Sequence, residues 1–98
     1  MLRMAKTTAA AAKAKDTTFK IYAPNAKKVS VAGTFNNWNI KSLTAKKDTK
    51  GNWNISVSLK PGRYEYKFVV DGSWITDPGN TNTVGNTLGT VNSFVDVR

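Results

Sequence analysis

Residues 63–76 read RYEYKFVVDGSWIT. Tyr64, Tyr66, Phe68 and Val70 recur at every second position, the period of a strand with one buried face. Asp71-Gly72 then interrupts two apolar runs, the strongest short-range signal for a two-residue hairpin loop. A two-residue loop sets the register: Val70 opposes Ser73, Val69 opposes Trp74, Phe68 opposes Ile75 and Lys67 opposes Thr76. Directly opposed residues share a face. Phe68 and Ile75 therefore fall on the apolar face with Tyr64 and Tyr66, and Trp74 falls on the other face with Val69 and Lys67. A slip of one residue would invert the assignment.

The same alternation extends outward along the chain. Phe19 and Ile21 precede Pro24, Val29 and Val31 sit in KKVSVAGTF, and Trp53, Ile55, Val57 and Leu59 alternate through NWNISVSL. Val91, Val95 and Val97 close the chain. Turn chemistry separates these runs at Pro24-Asn25, Lys50-Gly51-Asn52, Pro61-Gly62 and Pro78-Gly79. No stretch after residue 16 carries a helical period. The pattern predicts an all-β chain, an immunoglobulin-like β-sandwich of about seven strands over residues 17–98. Residues 1–16 read as a basic, solvated tail: Arg3, Lys6, Lys13 and Lys15 supply +4 of the formal charge of +9, and most of its apolar residues are alanine.

The 98 residues contain no cysteine and no histidine. That removes disulfides, thiolate metal sites and the commonest general base, and no cofactor or metal is expected. No apolar run is long enough to cross a bilayer and no leucine-rich signal segment is present, so the expectation is a cytoplasmic protein away from membranes. The six carboxylates are Asp16, Asp48, Glu65, Asp71, Asp77 and Asp96. Two belong to turns, and none pairs with another in the way glycoside hydrolysis requires. Glu65 faces outward beside Lys67, and a charge partner is the natural reading. A non-catalytic role follows.

An outward tryptophan either covers the sheet or serves as a platform for a ligand. Trp53 is in phase with Ile55 and Val57 and reads as core. Trp38, in GTFNNWNI, sits among loop-forming asparagines and is either a plug over one end of the sandwich or a second platform. Leu88, Thr90 and Asn92 share one face if that segment is extended, and Gly89 bears on whether it is. Two indoles, one ammonium, one hydroxyl, one amide and one aliphatic group suit a neutral, polyhydroxylated ligand.

The stretches VSVAGTFNNW, GNWNISVSLKPGRYEYKFVVDGSWITDP and NTLGTVNSFVDV resemble the glycogen- and starch-binding modules of carbohydrate-binding family 48. The likeness is to the glycogen-binding domain of the AMP-activated protein kinase β subunit and to the N-terminal modules of branching enzymes and isoamylases. It spans residues 17 to 97 in the same order. It implies an early-set immunoglobulin-like sandwich that binds α-1,4-glucan: glycogen, starch or maltooligosaccharide. By motif, Trp38 and Trp74 correspond to the stacking tryptophans and Lys67 to a lysine that contacts sugar hydroxyls. Leu88, Thr90 and Asn92 correspond to the leucine, threonine and asparagine of the LGTVN pattern. Thr34 stands where relatives often carry Ser or Asp. The catalytic barrel of branching enzymes and the assembly segment of kinase subunits are not among these residues, so neither activity carries over; a glycogen-metabolising or regulatory protein is a candidate partner. The lysine pairs Lys27-Lys28 and Lys46-Lys47 support a rival reading, a basic sandwich that binds an anionic polymer or a protein partner without recognising sugar. Nucleic acid is the disfavoured ligand, because only Lys67 among the candidate site residues is charged.

Overall fold

The computed structural model describes residues 14–98. Eight strands follow one another: β1 (Lys15–Tyr22), β2 (Val29–Gly33), β3 (Lys46–Lys47), β4 (Asn52–Leu59), β5 (Gly62–Val70), β6 (Ser73–Ile75), β7 (Thr83–Gly85) and β8 (Val91–Val97). They form two antiparallel sheets. One has the order β1-β4-β3; the other runs β2-β5-β8-β7, with β6 added to β5. This is the expected all-β sandwich. Three of its strands are only two or three residues long, too short for a period of two to show in the sequence. β1 begins at Lys15, two residues ahead of the expected start. Of the basic tail read over residues 1–16, residues 1–13 lie outside the described residues.

The core forms where the alternating residues of the two sheets meet. Phe19 and Ile21 of β1 and Trp53 and Leu59 of β4 face Val29, Val31, Tyr66 and Phe68 of the second sheet. The Phe19 ring meets Tyr66 edge-on across the sandwich, with centroids 4.7 Å apart, a favoured aromatic geometry. Trp53 is buried as expected, and its indole N–H donates to the Ala23 carbonyl at 2.8 Å. That bond removes the penalty of an unsatisfied buried donor. All five residues of β2 are buried. Residues 43–45 cover its free edge: Val31 N donates to Leu43 O and Ala45 N to Val29 O. The chain then crosses to the other sheet as β3.

β5 organises the second sheet. One of its edges pairs with β2, and the other is shared by β8 at Gly62–Tyr66 and β6 at Phe68–Val70. The hairpin register is the one the Asp71-Gly72 loop dictates: Phe68 opposes Ile75, Val69 opposes Trp74, and Val70 opposes Ser73. Asp71 and Gly72 both take positive φ, 48° and 87°, as a type I′ turn requires. Asp71 also anchors the turn to the start of β2, accepting from the amides of Lys27 and Lys28 at 2.9 and 2.8 Å.

Two inward assignments are corrected. Ile75 was expected to fill the core opposite Phe68, yet it is 38 % exposed. β6 pairs only with β5, so no strand shelters its other edge. Val91, grouped with Val95 and Val97, is also exposed, because it lies at the open end of β8 where its partner is Gly85. Beyond β6 the chain is fixed by polar contacts: the Tyr66 hydroxyl donates to Asp77 at 2.6 Å and accepts from Asn80 at 3.0 Å. Burial pushes the Tyr66 phenol well above its ordinary value, and the bond to Asp77 adds to the shift.

Candidate functional site

The outer face of β5, the loop after β2 and the loop between β7 and β8 enclose an open groove of about 970 Å³. Trp38, Lys67, Trp74, Leu88, Thr90 and Asn92 all line it, together with Thr34, Glu65, Gly85, Asn86 and Thr87. Its charged residues are one acid and one base, Glu65 and Lys67. The pairs Lys27-Lys28 and Lys46-Lys47 are not among its walls.

Trp74 stands 48 % exposed on the outer face, as the hairpin register demands. Trp38 reaches the same groove from the loop after β2. The two ring centroids lie 6.3 Å apart with the planes inclined by 51°. Trp38 is half-buried and has φ of +59°, and Asn37 before it has +56°. A bulky residue in the left-handed region is strained and needs outside support. Asn36 provides it. Its side-chain oxygen accepts from Gly33 N at 2.9 Å, and its amide donates to Asn39 O and Ser42 Oγ, both at 3.0 Å. The Gly33 carbonyl in turn accepts from the amides of Asn36 and Trp38. Glycine is required at 33, since a Cβ there would collide with the Glu65 carbonyl oxygen.

The third wall departs from the extended segment that would put Leu88, Thr90 and Asn92 on one face. Gly89 has φ of +82°, and residues 86–90 form a turn. Asn86 closes that turn: its side-chain oxygen accepts from the amides of Leu88 and Thr90 at 2.9 and 3.2 Å. Its NH₂ group donates to Thr90 Oγ1 at 2.7 Å and Asn92 Oδ1 at 3.0 Å. Leu88 is thereby held out, 86 % exposed, while Asn92 is only 7 % exposed. Asn92 donates to Glu65 Oε1 at 2.9 Å, and Lys67 donates to Thr90 Oγ1 at 3.3 Å. One hydrogen-bonded chain therefore runs Glu65–Asn92–Asn86–Thr90–Lys67 along the groove. Glu65 has an asparagine where a charged partner was expected. The ion pair among the described residues is Arg63–Asp96, one position along the same face of β5.

Sequence reasoning took Asn36 only as a loop former beside Trp38 and passed over Asn86. Both carry a readable signal, an asparagine whose side chain caps a turn two or three residues on, followed in the second case by glycine at the fourth position.

Residues 16–98 match a family model described as the glycogen recognition site of AMP-activated protein kinase. The chain is 37 % identical over 89 residues to 5′-AMP-activated protein kinase subunit beta-1 of Sus scrofa, covering 91 % of this chain and 69 % of that protein. The Rattus norvegicus beta-1 subunit gives the same identity and span, but there the match is 31 % of the subunit. The Mus musculus beta-2 subunit is 36 % identical over 72 residues, 74 % of this chain and 26 % of that protein. The chain thus spans about a third or less of the rat and mouse subunits it matches. Among solved structures, a maltogenic amylase from S. marinus superposes with a TM-score of 0.70 over 85 % of this chain and 13 % of its own, at 21 % identity, which is a likeness of fold.

Proposed function

This chain belongs to the family of glycogen recognition sites of AMP-activated protein kinase, and from that premise we propose that it is a non-catalytic module that binds α-1,4-glucan. The observation that carries the reading is the pair of solvent-facing indoles, Trp38 and Trp74, side by side over a groove whose charges sum to zero. A pyranose has an apolar face of C–H groups and a rim of hydroxyls. An indole stacks on the face, and nearby polar groups bond the rim. Rings inclined by 51° cannot both lie flat on a straight chain; they suit consecutive units of a glucan that curves. Leu88 supplies apolar contact on the third wall, and Lys67, Thr90 and Asn92 supply the polar edge.

Glu65 is the one carboxylate that lines the groove, whereas glycoside hydrolysis of the common kind uses two. The basic polymer-binding alternative draws no support from the groove, because its lysine pairs lie elsewhere. Partnership with a glycogen-metabolising or regulatory protein and a location in the cytoplasm belong to the same proposal, supported by kinship with the kinase subunits. Among the described residues, no helix is long and apolar enough to cross a membrane.

A shallow stacking site binds at micromolar to millimolar dissociation constants, roughly −4 to −8 kcal/mol. Calorimetric titration with β-cyclodextrin tests the reading. Trp74→Ala and Trp38→Ala should each abolish measurable binding, and the wild-type affinity should be nearly insensitive to salt. Steep weakening with ionic strength would instead mark counterion release by a polyanion site.

A further inference from the structure

The polar atoms facing the groove are unequally committed. Asn86 uses all four of its side-chain hydrogen-bonding positions within the protein. Thr90 Oγ1 accepts from both Asn86 and Lys67. Its two lone pairs are then filled, and toward a ligand it offers only its O–H. Asn92 is buried, with one lone pair of its oxygen taken by Asn86 and one of its N–H groups by Glu65. The Lys67 ammonium only donates. These side chains therefore meet a ligand chiefly as donors, and the acceptors left to Thr34, Thr87 and the buried Asn92 are all neutral. A sugar hydroxyl carries a proton of its own, and that proton needs an acceptor.

Glu65 is the one charged group of the groove fitted to accept it. It is half-buried on the strand position two before Lys67 and lines the groove. One carboxylate oxygen is fixed by Asn92 at 2.9 Å; the other takes no hydrogen bond from a described residue, and no ion pair neutralises the group among them. We infer that Glu65 is the anionic hydrogen-bond acceptor of the groove, receiving a glucose hydroxyl at Oε2 and discriminating against phosphorylated glucose units, with Asn92 and Asn86 as the positioning residues that aim it. The inference rests on the glucan-binding reading and assigns a specificity-determining residue within it. A hydrogen bond to a carboxylate is roughly twice as strong as a neutral one, and its charge repels a phosphate that Lys67 would otherwise attract.

The test titrates β-cyclodextrin, maltoheptaose and maltoheptaose bearing a 6-phosphate into the 98-residue chain, the Glu65→Gln variant and the Trp74→Ala variant. Glutamine keeps the shape and the acceptor for Asn92 but removes the charge. Glu65→Gln should weaken binding of the neutral ligands about 5-fold at unchanged Tm, and it should narrow the gap between neutral and phosphorylated maltoheptaose. Neutral-ligand affinity within 2-fold of wild type, with the gap preserved, overturns the role of Glu65; loss of binding in Trp74→Ala then leaves the glucan reading standing. Failure of the wild-type chain to bind any of the three overturns both. A measurement on the unmutated protein guards against a destabilised variant: the ¹³C resonance of the Glu65 carboxylate should move on adding β-cyclodextrin, and a stationary resonance contradicts the inference.

Discussion

Trp74 and Lys67 stand on a strand ladder, whereas Trp38 and Leu88 stand on loops tied down by single asparagine side chains. In the hairpin half of the groove, position follows from register: β5 pairs on both edges, and the type I′ turn is anchored to β2 through Asp71. Support is spread over many bonds and a packed core. In the loop half, Asn36 and Asn86 each gather several bonds at one residue. The ladder half should therefore fail only with the fold, while the loop half can lose its shape with the sandwich intact.

The largest effect that would sharpen this contrast is loss of the core beneath the ladder. Phe68 is fully buried behind the hairpin, and Phe68→Ala should cost about 3–5 kcal/mol in urea unfolding. A cost under about 1 kcal/mol would mean that the hairpin is not seated on the core. Next comes the loop half. Asn36→Ala leaves Gly33 N and Asn39 O without their partner and should cost about 1–3 kcal/mol. It should also weaken β-cyclodextrin binding by more than the stability loss alone explains, because Trp38 is released from its strained backbone. Unchanged affinity in that variant would break the comparison, showing that the loop holds its shape without the clamp.

The smallest effect is a dependence on pH at the exit of the hairpin. The folded-state value of Tyr66 is raised, chiefly by burial. A raised value contributes stability that is whole below the ordinary phenol value of about 10 and is lost as the pH climbs above it. The melting temperature should fall on the alkaline side, and more gently in Tyr66→Phe. On the acid side the sign reverses. The backbone bond from Asn52 holds the Asp48 carboxyl below its ordinary value, and the Arg63 bond does the same for Asp96. Their contribution is present above the usual carboxylate range and disappears as the pH falls through the lowered values. Parallel alkaline melting of wild type and Tyr66→Phe would remove Tyr66 from this account.

The same contrast explains what could be read from the sequence. Trp74 was legible because a two-residue turn leaves one register, and Trp53 because it shares the parity of a buried strand. Ile75 and Val91 have the inward parity yet remain exposed, since periodicity fixes a side chain's face but not whether anything covers it. Trp38 could not be placed by pattern, because its direction depends on two consecutive left-handed residues and on Asn36. Leu88 and Thr90 reach the groove through a turn about Gly89, not through an extended strand. Glu65 faced the expected side, but its partner is an amide that no charge rule along the chain would find: Asn92 lies on the neighbouring β8 and meets Glu65 only through the pairing of the sheet.

The most direct measurement follows the three indole N–H resonances while β-cyclodextrin is added to the ¹⁵N-labelled chain. Trp38 and Trp74 should shift together along one binding curve, and Trp53, bonded to Ala23 inside the sandwich, should stay still. Movement of only one of the two groove indoles, or of Trp53 alone, would contradict a single glucan site built from both halves.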